Sequence, residues 1–293
     1  MTIAGTRILL LPEKRRFAGQ LPSAQFARIG RRFKTMVCEP GETEQLKRHF
    51  RCLPETDWPV AALCRQNERG DAGVAYWLRA DPVYLQVEMR GARIMACDGF
   101  DLNESELLAI AETLQPVFSE QGIDFHIGSQ GFCYLRLRDG KPLPSGTPVM
   151  DMLGCDITGH LPSDRRWVAL FNECQIVLHN HPLNVIRQLN GQLPVNGMWF
   201  WGGGIMPESV GHAFKTVNSE DGIVKALSCQ THAEHGSEDF LLVDLRHSRL
   251  WPEIEANFDM QMNTVFDFAD GSVWHWRPEW RWHFWKRRSN ALI

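Results

Sequence analysis

The sequence predicts an α/β protein in which a mixed sheet is flanked by helices. Apolar runs such as TRILLL (6–11) and VNGMWFW (195–201) have the length of buried strands. Between such runs lie segments whose apolar residues recur at helical spacing, for example 162–182. Because strand-like and helix-like segments interleave along the chain, the α/β class is favoured.

The composition is that of a globular protein with a sizeable core. The chain has 293 residues, of which 44% are hydrophobic and 23% charged, and its net charge is −4. The eight cysteines form no Cys-x-x-Cys pair, so a zinc ribbon is not indicated. No apolar run is long enough to cross a bilayer, and the run 8–11 is too short for a signal peptide. We therefore expect a cytoplasmic protein that does not contact a membrane.

Two parts are expected along the chain. Residues 1–56 are predicted to form an N-terminal strand and a basic arm packed on the main domain, and residues 57–293 a single α/β domain. Within the arm, Phe26 and Ile29 share one face of a predicted helix. The apolar run 57–66 and the segment 75–89 predict two or three further strands, and 125–137 predicts a hairpin that turns near Ser129.

The helix signals are strongest in the middle of the chain. Asn103 is a suitable N-cap for a helix that Gly122 closes, and Ser163 or Asp164 is suitable for the helix that follows. Pro182 begins a short helix that Gly191 ends. Near the carboxyl terminus, 240–244 predicts a strand, 251–268 a helix, and 272–285 an antiparallel hairpin at the edge of the sheet.

A glycine triplet follows the buried strand 195–201. If Gly202, Gly203 and Gly204 lead into a helix, their backbone N–H groups are suited to hold an anion, with Asn196 beside them. The triplet lacks the spacing of the dinucleotide fingerprint and the ending of a Walker loop. The alternative is a tight structural corner.

Arg79 and Asp81 flank a small residue directly before Pro82. They are interpreted either as an internal ion pair or as an anion-recognition site, because the planar guanidinium of Arg79 fits phosphate and carboxylate. The predicted ligand-binding set is therefore Arg79, Asp81, Asn196, Gly202, Gly203 and Gly204.

Acid and base candidates are few. Glu173, His179 and His181 lie on or after one predicted helix, and Glu173 qualifies only if it is buried. His179 and His181 point to nearly opposite sides of a helix, so they are not expected to bind one metal ion. Asp156 with His160 and Asp244 with His247 lack an accompanying nucleophile. No metal and no cofactor are expected.

The carboxyl end is rich in tryptophan and arginine. Stacking aromatics beside basic residues can bind single-stranded nucleic acid, but a tryptophan face of this density has to be covered, which favours a strand packed on the core. We therefore expect a small phosphorylated or carboxylate ligand or a protein partner, and no nucleic acid.

Four strings carry a family resemblance: WPVAALCRQ, YWLRADPVYL, NECQIVLHNHPLN and PVNGMWFWGGGIMP. They resemble the bacterial RpfE-type regulatory proteins, over nearly the whole chain. That family is similar to the cofactor-independent, archaeal-type phosphoglycerate mutases, which have an alkaline-phosphatase-like α/β fold. The segment from Asn196 to Pro207 resembles the mutase pattern of an Asn, an apolar strand, Trp-Gly-x-Gly and a proline.

The resemblance also shows what is missing. It implies two metal ions, an amino-terminal Asp-Gly segment, a serine that carries the phosphoryl group, and later Asp and His ligands. This chain has no such Asp-Gly segment and no Asp-x-x-x-His run at 239–251. We expect a metal-free, catalytically degenerate mutase-like protein that binds or senses a small anion. The alternatives are an active phosphoglycerate-mutase-like enzyme and a nucleic-acid-binding regulator.

Overall fold

A computed structural model describes residues 5–54, 58–89, 91–129, 131–138, 146–230 and 240–278. Its strands are β1 Thr6–Leu11, β2 Lys34–Val37, β3 Arg51–Leu53, β4 Tyr76–Glu88, β5 Gly91–Ala96, β6 Ile123–Ile127, β7 Cys133–Leu137, β8 Gly197–Gly204, β9 Ser209–Gly211, β10 Phe214–Asn218, β11 Phe240–Asp244, β12 Asn263–Phe268 and β13 Ser272–Trp276. Its α-helices are α1 Ala24–Gly30, α2 Glu42–Lys47, α3 Val60–Arg69, α4 Glu104–Ser119, α5 Arg165–His179, α6 Pro182–Leu189, α7 Gly222–Cys229 and α8 Trp251–Ala256. Sheets flanked by helices confirm the predicted α/β class.

Tertiary contacts divide the chain into two compact units. The first contains Met1–Arg51 and Ser209–Ile293, and the second contains Cys52–Glu208. The expected parts, 1–56 and 57–293, do not coincide with these units. The physical reason is that β11, β12 and β13 pair with strands from the amino-terminal part, so the chain returns to the first unit.

The first unit contains a six-stranded sheet in the order β10-β11-β1-β12-β13-β2. The first four strands in this order are parallel, while β13 is antiparallel to both β12 and β2. On β1, Leu10 is in register with Asp244 on one side and Asp267 on the other. The two carboxylates therefore lie at the same level of the sheet and on the same face.

An aromatic core covers the opposite face of this sheet. It comprises Leu9, Leu11, Phe17, Phe26, Ile29, Trp251, Ile254, Phe266, Phe268 and Trp276. The predicted pairing of Phe26 and Ile29 on one helical face is confirmed. Since α1 and α8 both contribute to this core, the polar face with Asp244 and Asp267 is left to other elements.

The second unit is built on an antiparallel sheet. Its order is β5-β4-β7-β6, and β8 pairs with β4. Helices α3 and α5 pack on β8, and α4 packs on β6. Trp167 and Phe171 of α5 place their rings against Phe200 of β8.

Several local predictions are confirmed. Asn103 forms a capping box with Glu106, Asp164 caps α5, and Pro182 begins α6. The hairpin 125–137 forms from β6 and β7. Each of these signals is local, because a cap or a turn is specified by its own side chains and backbone.

Other local predictions are wrong. The apolar run 57–66 contributes to helix α3, which a left-handed Gly70 ends, because a short buried helix and a buried strand have the same composition. Of the helix expected over 251–268, only α8 forms, and the last third of the segment is strand β12. The expected carboxyl-terminal hairpin contributes β13, but β2 occupies the edge beside it. Residues 279–285 of that hairpin lie outside the described residues.

In the described part of the chain, every helix is too short or too polar to cross a membrane.

Candidate functional site

Charged side chains collect where the parallel strands of the first unit end. In open α/β sheets, ligands bind outside the carboxyl ends of the strands. Asp244 is the last residue of β11, Asp267 is the penultimate residue of β12, and Ser219 follows β10 directly. Asp244 and Asp267 are 7% and 1% exposed, so both carboxylates need partners.

Arg246 provides the partner for Asp244. Its Nε and Nη2 atoms donate to the two carboxylate oxygens of Asp244 at 2.9 and 2.8 Å. Its Nη1 lies 3.5 Å from Glu42, and its Nη2 lies 3.4 Å from Asp221. A single buried guanidinium thus contacts three carboxylates, and we call these four residues the Arg246 cluster.

Within the Arg246 cluster, Arg246 and Asp244 each stabilise the charged form of the other. Burial alone would raise the pKa of Asp244, but hydrogen bonds from Arg246 and Ser219 outweigh burial and hold that pKa below its ordinary value. Burial would lower the pKa of Arg246, whereas the surrounding carboxylates raise it. Arg246 is therefore a permanent cation, and Asp244 is ionised at neutral pH.

A second charged group surrounds Asp267. Arg48 binds it through Nε at 3.0 Å and Nη2 at 2.6 Å, and His49 Nε2 lies 2.7 Å from the same carboxylate. The bidentate fork of Arg48 matches carboxylate geometry. Asp267 is thus enclosed by a guanidinium and an imidazole.

Helix α2 supplies side chains to both groups. Glu42, Gln45 and Arg48 follow each other at three-residue spacing, so they lie on one helical face. Gln45 Nε2 donates to the backbone oxygen of Leu11 at 3.0 Å, and it also donates to that of Asp267. This buried amide ties α2 to the ends of β1 and β12, and it thereby holds Glu42 and Arg48 at the two carboxylates.

Arg79 and Asp81 form a buried ion pair on β4. Arg79 Nη2 lies 2.8 Å from Asp81 Oδ1, and Trp201 donates its indole N–H to Asp81 Oδ2. The guanidinium carbon lies 3.8 Å from the centre of the Phe132 ring. Burial raises the pKa of Asp81, against the attraction of Arg79. This geometry favours the internal ion pair, since Arg79 is 3% exposed and already has an anion.

Asn196 connects β8 to β4. Its Oδ1 accepts from the backbone N–H of Leu85 at 2.7 Å, and its Nδ2 donates to the backbone oxygen of Leu85 at 2.8 Å. Both ends of the amide are therefore used within the sheet.

The glycine triplet lies inside strand β8. The prediction of a helix after the triplet is wrong, because strands β9 and β10 follow it. The pairing with β4 shifts register between Trp77 and Arg79, so the triplet forms a bulge. Gly202 has φ +64°, and a Cβ there would lie 3.0 Å from Val60 Cβ. A Cβ on Gly204 would lie 2.6 Å from Pro59. Close packing on the start of α3 thus accounts for Gly202 and Gly204.

The three acid or base candidates do not lie at a buried site. Glu173 and His179 are exposed, so the burial required of Glu173 is absent. His181 is the N-cap of α6, where its Nδ1 accepts from Leu183 N at 3.1 Å, and its Nε2 lies 3.0 Å from Thr113 Oγ1. His181 therefore has a structural role that explains its position.

A cavity of about 660 Å³ lies in the second unit. Phe132 lines it and also covers Arg79, so the ring separates the cavity from the buried ion pair. Asp98, Asp101 and Glu104 lie at its wall, beside Arg69. With three carboxylates and one guanidinium, this wall is poorly suited to an anion.

Comparison with known proteins gives two curated relatives. A probable 2,3-bisphosphoglycerate-independent phosphoglycerate mutase of Geobacter sulfurreducens is 32% identical over 154 residues, or 51% of this chain and 38% of that protein. The 2,3-bisphosphoglycerate-independent phosphoglycerate mutase of Methanosarcina barkeri is 28% identical over 148 residues, or 48% of this chain and 37% of that protein. The chain is similar to these mutases. The matched region spans less than two fifths of their length.

The chain also aligns with two solved structures. The cofactor-independent phosphoglycerate mutase of Thermoplasma acidophilum has a TM-score of 0.34 at 12% identity, with 92% of this chain and 88% of that chain covered. A protein from Pyrococcus horikoshii has a TM-score of 0.42 at 9% identity, with 93% and 87% covered. No protein-family model matches the chain. The membership in an RpfE-type family stays a prediction.

The metal ions implied by the mutase resemblance do not fit the residues found at the carboxyl ends of the parallel strands. Divalent metals at such sites require carboxylate or imidazole ligands free to face the ion. Here Glu42, Asp221 and Asp244 all face the guanidinium of Arg246. In the ranges that the structure describes, no three His, Cys, Asp or Glu side chains are grouped so that they could hold a metal ion.

The sequence indicated Asp244 as a candidate residue but did not indicate its partners. Arg246, Asp267, His49 and Ser219 belong to the site, and none was among the predicted site residues. One signal was available, because FLLVD and TVFDF each place an aspartate near the end of an apolar strand. The guanidinium that binds Asp244 is only two residues further along the chain.

Proposed function

We propose that this protein is a phosphoglycerate-mutase-like protein that carries out no metal-dependent phosphoryl transfer and binds a small phosphorylated or carboxylate ligand. Its role would be regulation or sensing. The observation that carries the proposal is the Arg246 cluster, in which the protein's own guanidinium binds both carboxylate oxygens of Asp244 at the end of β11 and also contacts Glu42 and Asp221.

The hydrogen bonds of Arg246 explain why the cluster opposes metal binding. A divalent ion would have to displace Arg246, and the displaced guanidinium would lose its hydrogen bonds to Asp244 while remaining 7% exposed. Breaking a buried pair in this way costs several kcal/mol, because one charge is left without compensation. Two-metal phosphoryl transfer depends on ligands that are free to balance the ions, and this cluster does not provide them.

The anionic ligand is proposed on the similarity to phosphoglycerate mutases, whose name specifies a phosphorylated acid. The expected binding set of Arg79, Asp81, Asn196 and Gly202–Gly204 remains a prediction. Because the side chains of the first three bind within the protein, a ligand there would have to displace them or use backbone groups.

An active mutase-like enzyme is the second candidate. The 32% identity to a curated mutase favours it. Within the site, His49 with Asp267 provides an imidazole oriented by a carboxylate at 2.7 Å, an arrangement used in general-base catalysis. This candidate requires phosphoglycerate turnover by the wild-type protein.

Thermal unfolding tests the proposal with two probes, 3-phosphoglycerate and Mn²⁺. A ligand that binds only the native state raises the Tm. We expect 3-phosphoglycerate to raise the Tm of the wild-type protein and Mn²⁺ to leave it unchanged. A rise in Tm with Mn²⁺ would contradict the proposal that the protein binds no metal. An unchanged Tm with 3-phosphoglycerate would contradict the proposal that it binds this ligand.

The variant Arg246→Ala makes the same test specific to the cluster. Without the guanidinium, the negative charges of Glu42, Asp221 and Asp244 lose their counter-charge, so charge attraction alone should let Mn²⁺ raise the Tm of this variant from its lowered value. Arg138→Ala is the matched control, because Arg138 forms an exposed pair with Asp124. A Mn²⁺ response that is equal in the wild type and both variants would show that the cluster does not govern metal binding.

A further inference from the structure

The cavity of the second unit lies between three elements of the fold. One wall is the loop that connects β5 to α4, and the others are the start of α4 and the turn of the β6–β7 hairpin. All of its lining residues belong to the unit Cys52–Glu208. A volume of about 660 Å³ is that of a pocket for a small organic molecule.

Apolar side chains from all three elements line the cavity. They include Phe100 of the loop, Leu107 and Leu108 of α4, and Ile127 and Phe132 of the hairpin. Leu108 is 48% exposed, so part of this apolar surface faces the open space. A ligand with an apolar part would remove this surface from water, which is favourable.

Three carboxylates lie in the same lining. They belong to Asp98, Asp101 and Glu104, and all three residues are exposed. Across the ranges that the structure describes, none of these side chains has a hydrogen bond or an ion pair. Arg69 is the basic residue of the lining, so the wall has an excess of negative charge. The cavity therefore attracts a cation.

The three carboxylates are spread along the wall. Asp98 and Asp101 lie on the loop, and Glu104 is the first residue of α4. Among the described residues, no three His, Cys, Asp or Glu side chains are close enough together to hold one metal ion. A single inorganic ion therefore cannot contact all three carboxylates. Charges that are separated in this way are matched by a ligand with several cationic groups.

We propose that this cavity binds a linear aliphatic polyamine. Its protonated amines would face Asp98, Asp101 and Glu104, and its methylene groups would lie on Leu107 and Leu108. A monoamine would leave carboxylates without partners, and an inorganic cation would leave the apolar lining in water. The polyamine is the ligand class that satisfies both features of the cavity. This site lies in the second unit, so it is independent of the Arg246 cluster of the first unit.

Isothermal titration calorimetry of the full chain with spermidine tests the proposal. Hexaamminecobalt(III) is the matched probe, because it carries the same charge and also donates N–H hydrogen bonds, but it has no methylene groups. Both titrations are made at physiological salt, which screens exposed charges beyond about 8 Å. We expect one spermidine to bind per chain, and hexaamminecobalt(III) to bind about tenfold more weakly or less, since it cannot cover the apolar lining.

The variant Asp101→Asn removes one carboxylate without changing the backbone. Asp101 has φ +47°, and asparagine adopts this left-handed conformation as readily as aspartate does. We expect the variant to bind spermidine about tenfold more weakly, because a charge-assisted hydrogen bond is lost. Glu104→Gln should have a similar effect.

Glu112→Gln is the matched control for both variants. Glu112 is exposed on the same helix as Glu104, but it does not line the cavity. This variant should bind spermidine like the wild type. The proposal is overturned if the wild type does not bind spermidine, if hexaamminecobalt(III) binds as tightly, or if Asp101→Asn and Glu104→Gln bind as tightly as Glu112→Gln.

Discussion

At the scale of single residues, the molecule satisfies its buried charges internally. Asp244 is enclosed by Arg246 and Ser219, and Asp81 by Arg79 and Trp201. The second pair was one of two interpretations of the sequence, in which Arg79 and Asp81 hold the bend before Pro82 as an internal ion pair. Asp267 could not be predicted, since Arg48 and His49 reach it across more than 200 residues of chain.

Asp244 makes stability depend on pH in a defined direction. Its pKa is lower in the folded protein than in the unfolded chain. The stability it contributes is therefore fully present above its unfolded pKa of about 3.9 and is lost as the pH falls through the lower folded pKa. We expect Asp244→Asn to cost about 3 to 5 kcal/mol at neutral pH, the usual cost of breaking a buried pair.

Thermal unfolding of the wild type and Asp244→Asn across this pH range measures the effect. The difference between the two Tm values should narrow below about pH 4, as the wild-type carboxylate becomes protonated. Asp98→Asn, at an exposed position, should match the wild type at every pH. A difference that stays constant down to strongly acidic pH would contradict the assigned role of the Asp244 carboxylate.

At the scale of elements, capped helices and tight hairpins were predictable, and short apolar segments were not. The capping box of α4 and the β6–β7 hairpin are specified by neighbouring residues. Helix α3 and strand β12 were assigned wrongly because both are short and partly apolar, and the period of a short run does not distinguish helix from strand. The glycine bulge of β8 could not be predicted, because it depends on the packing of α3 against that strand.

The bulge predicts how a substitution at Gly202 behaves. Gly202→Ala forces a Cβ onto a residue with φ +64° and to within 3.0 Å of Val60 Cβ. We expect a loss of about 1 to 3 kcal/mol in the free energy of unfolding, measured by urea denaturation.

Gly222→Ala provides the comparison. Gly222 is the first residue of α7, and a Cβ there would meet no atom within 4 Å. Because alanine favours the helix more than glycine does, this variant should be neutral or slightly stabilising. Equal destabilisation by both variants would mean that the packing of the bulge on α3 does not explain Gly202.

At the scale of the whole molecule, the sequence predicted the class of fold but not its division. The chain leaves the first unit after Arg51 and returns at Ser209, and no local pattern records this return. The candidate site depends on that return, because Glu42 and Arg48 precede the second unit while Asp221, Asp244 and Asp267 follow it. Spacing along the chain therefore could not reveal the Arg246 cluster.

The most direct test of the account is phosphoglycerate mutase turnover by the wild-type protein, followed as conversion of 3-phosphoglycerate to 2-phosphoglycerate by nuclear magnetic resonance. Parallel samples contain Mn²⁺ or a chelator. Because Arg246 occupies the carboxylate oxygens of Asp244 that a metal would need, the account predicts no turnover in either sample. Turnover that requires Mn²⁺ and is abolished by the chelator would contradict it.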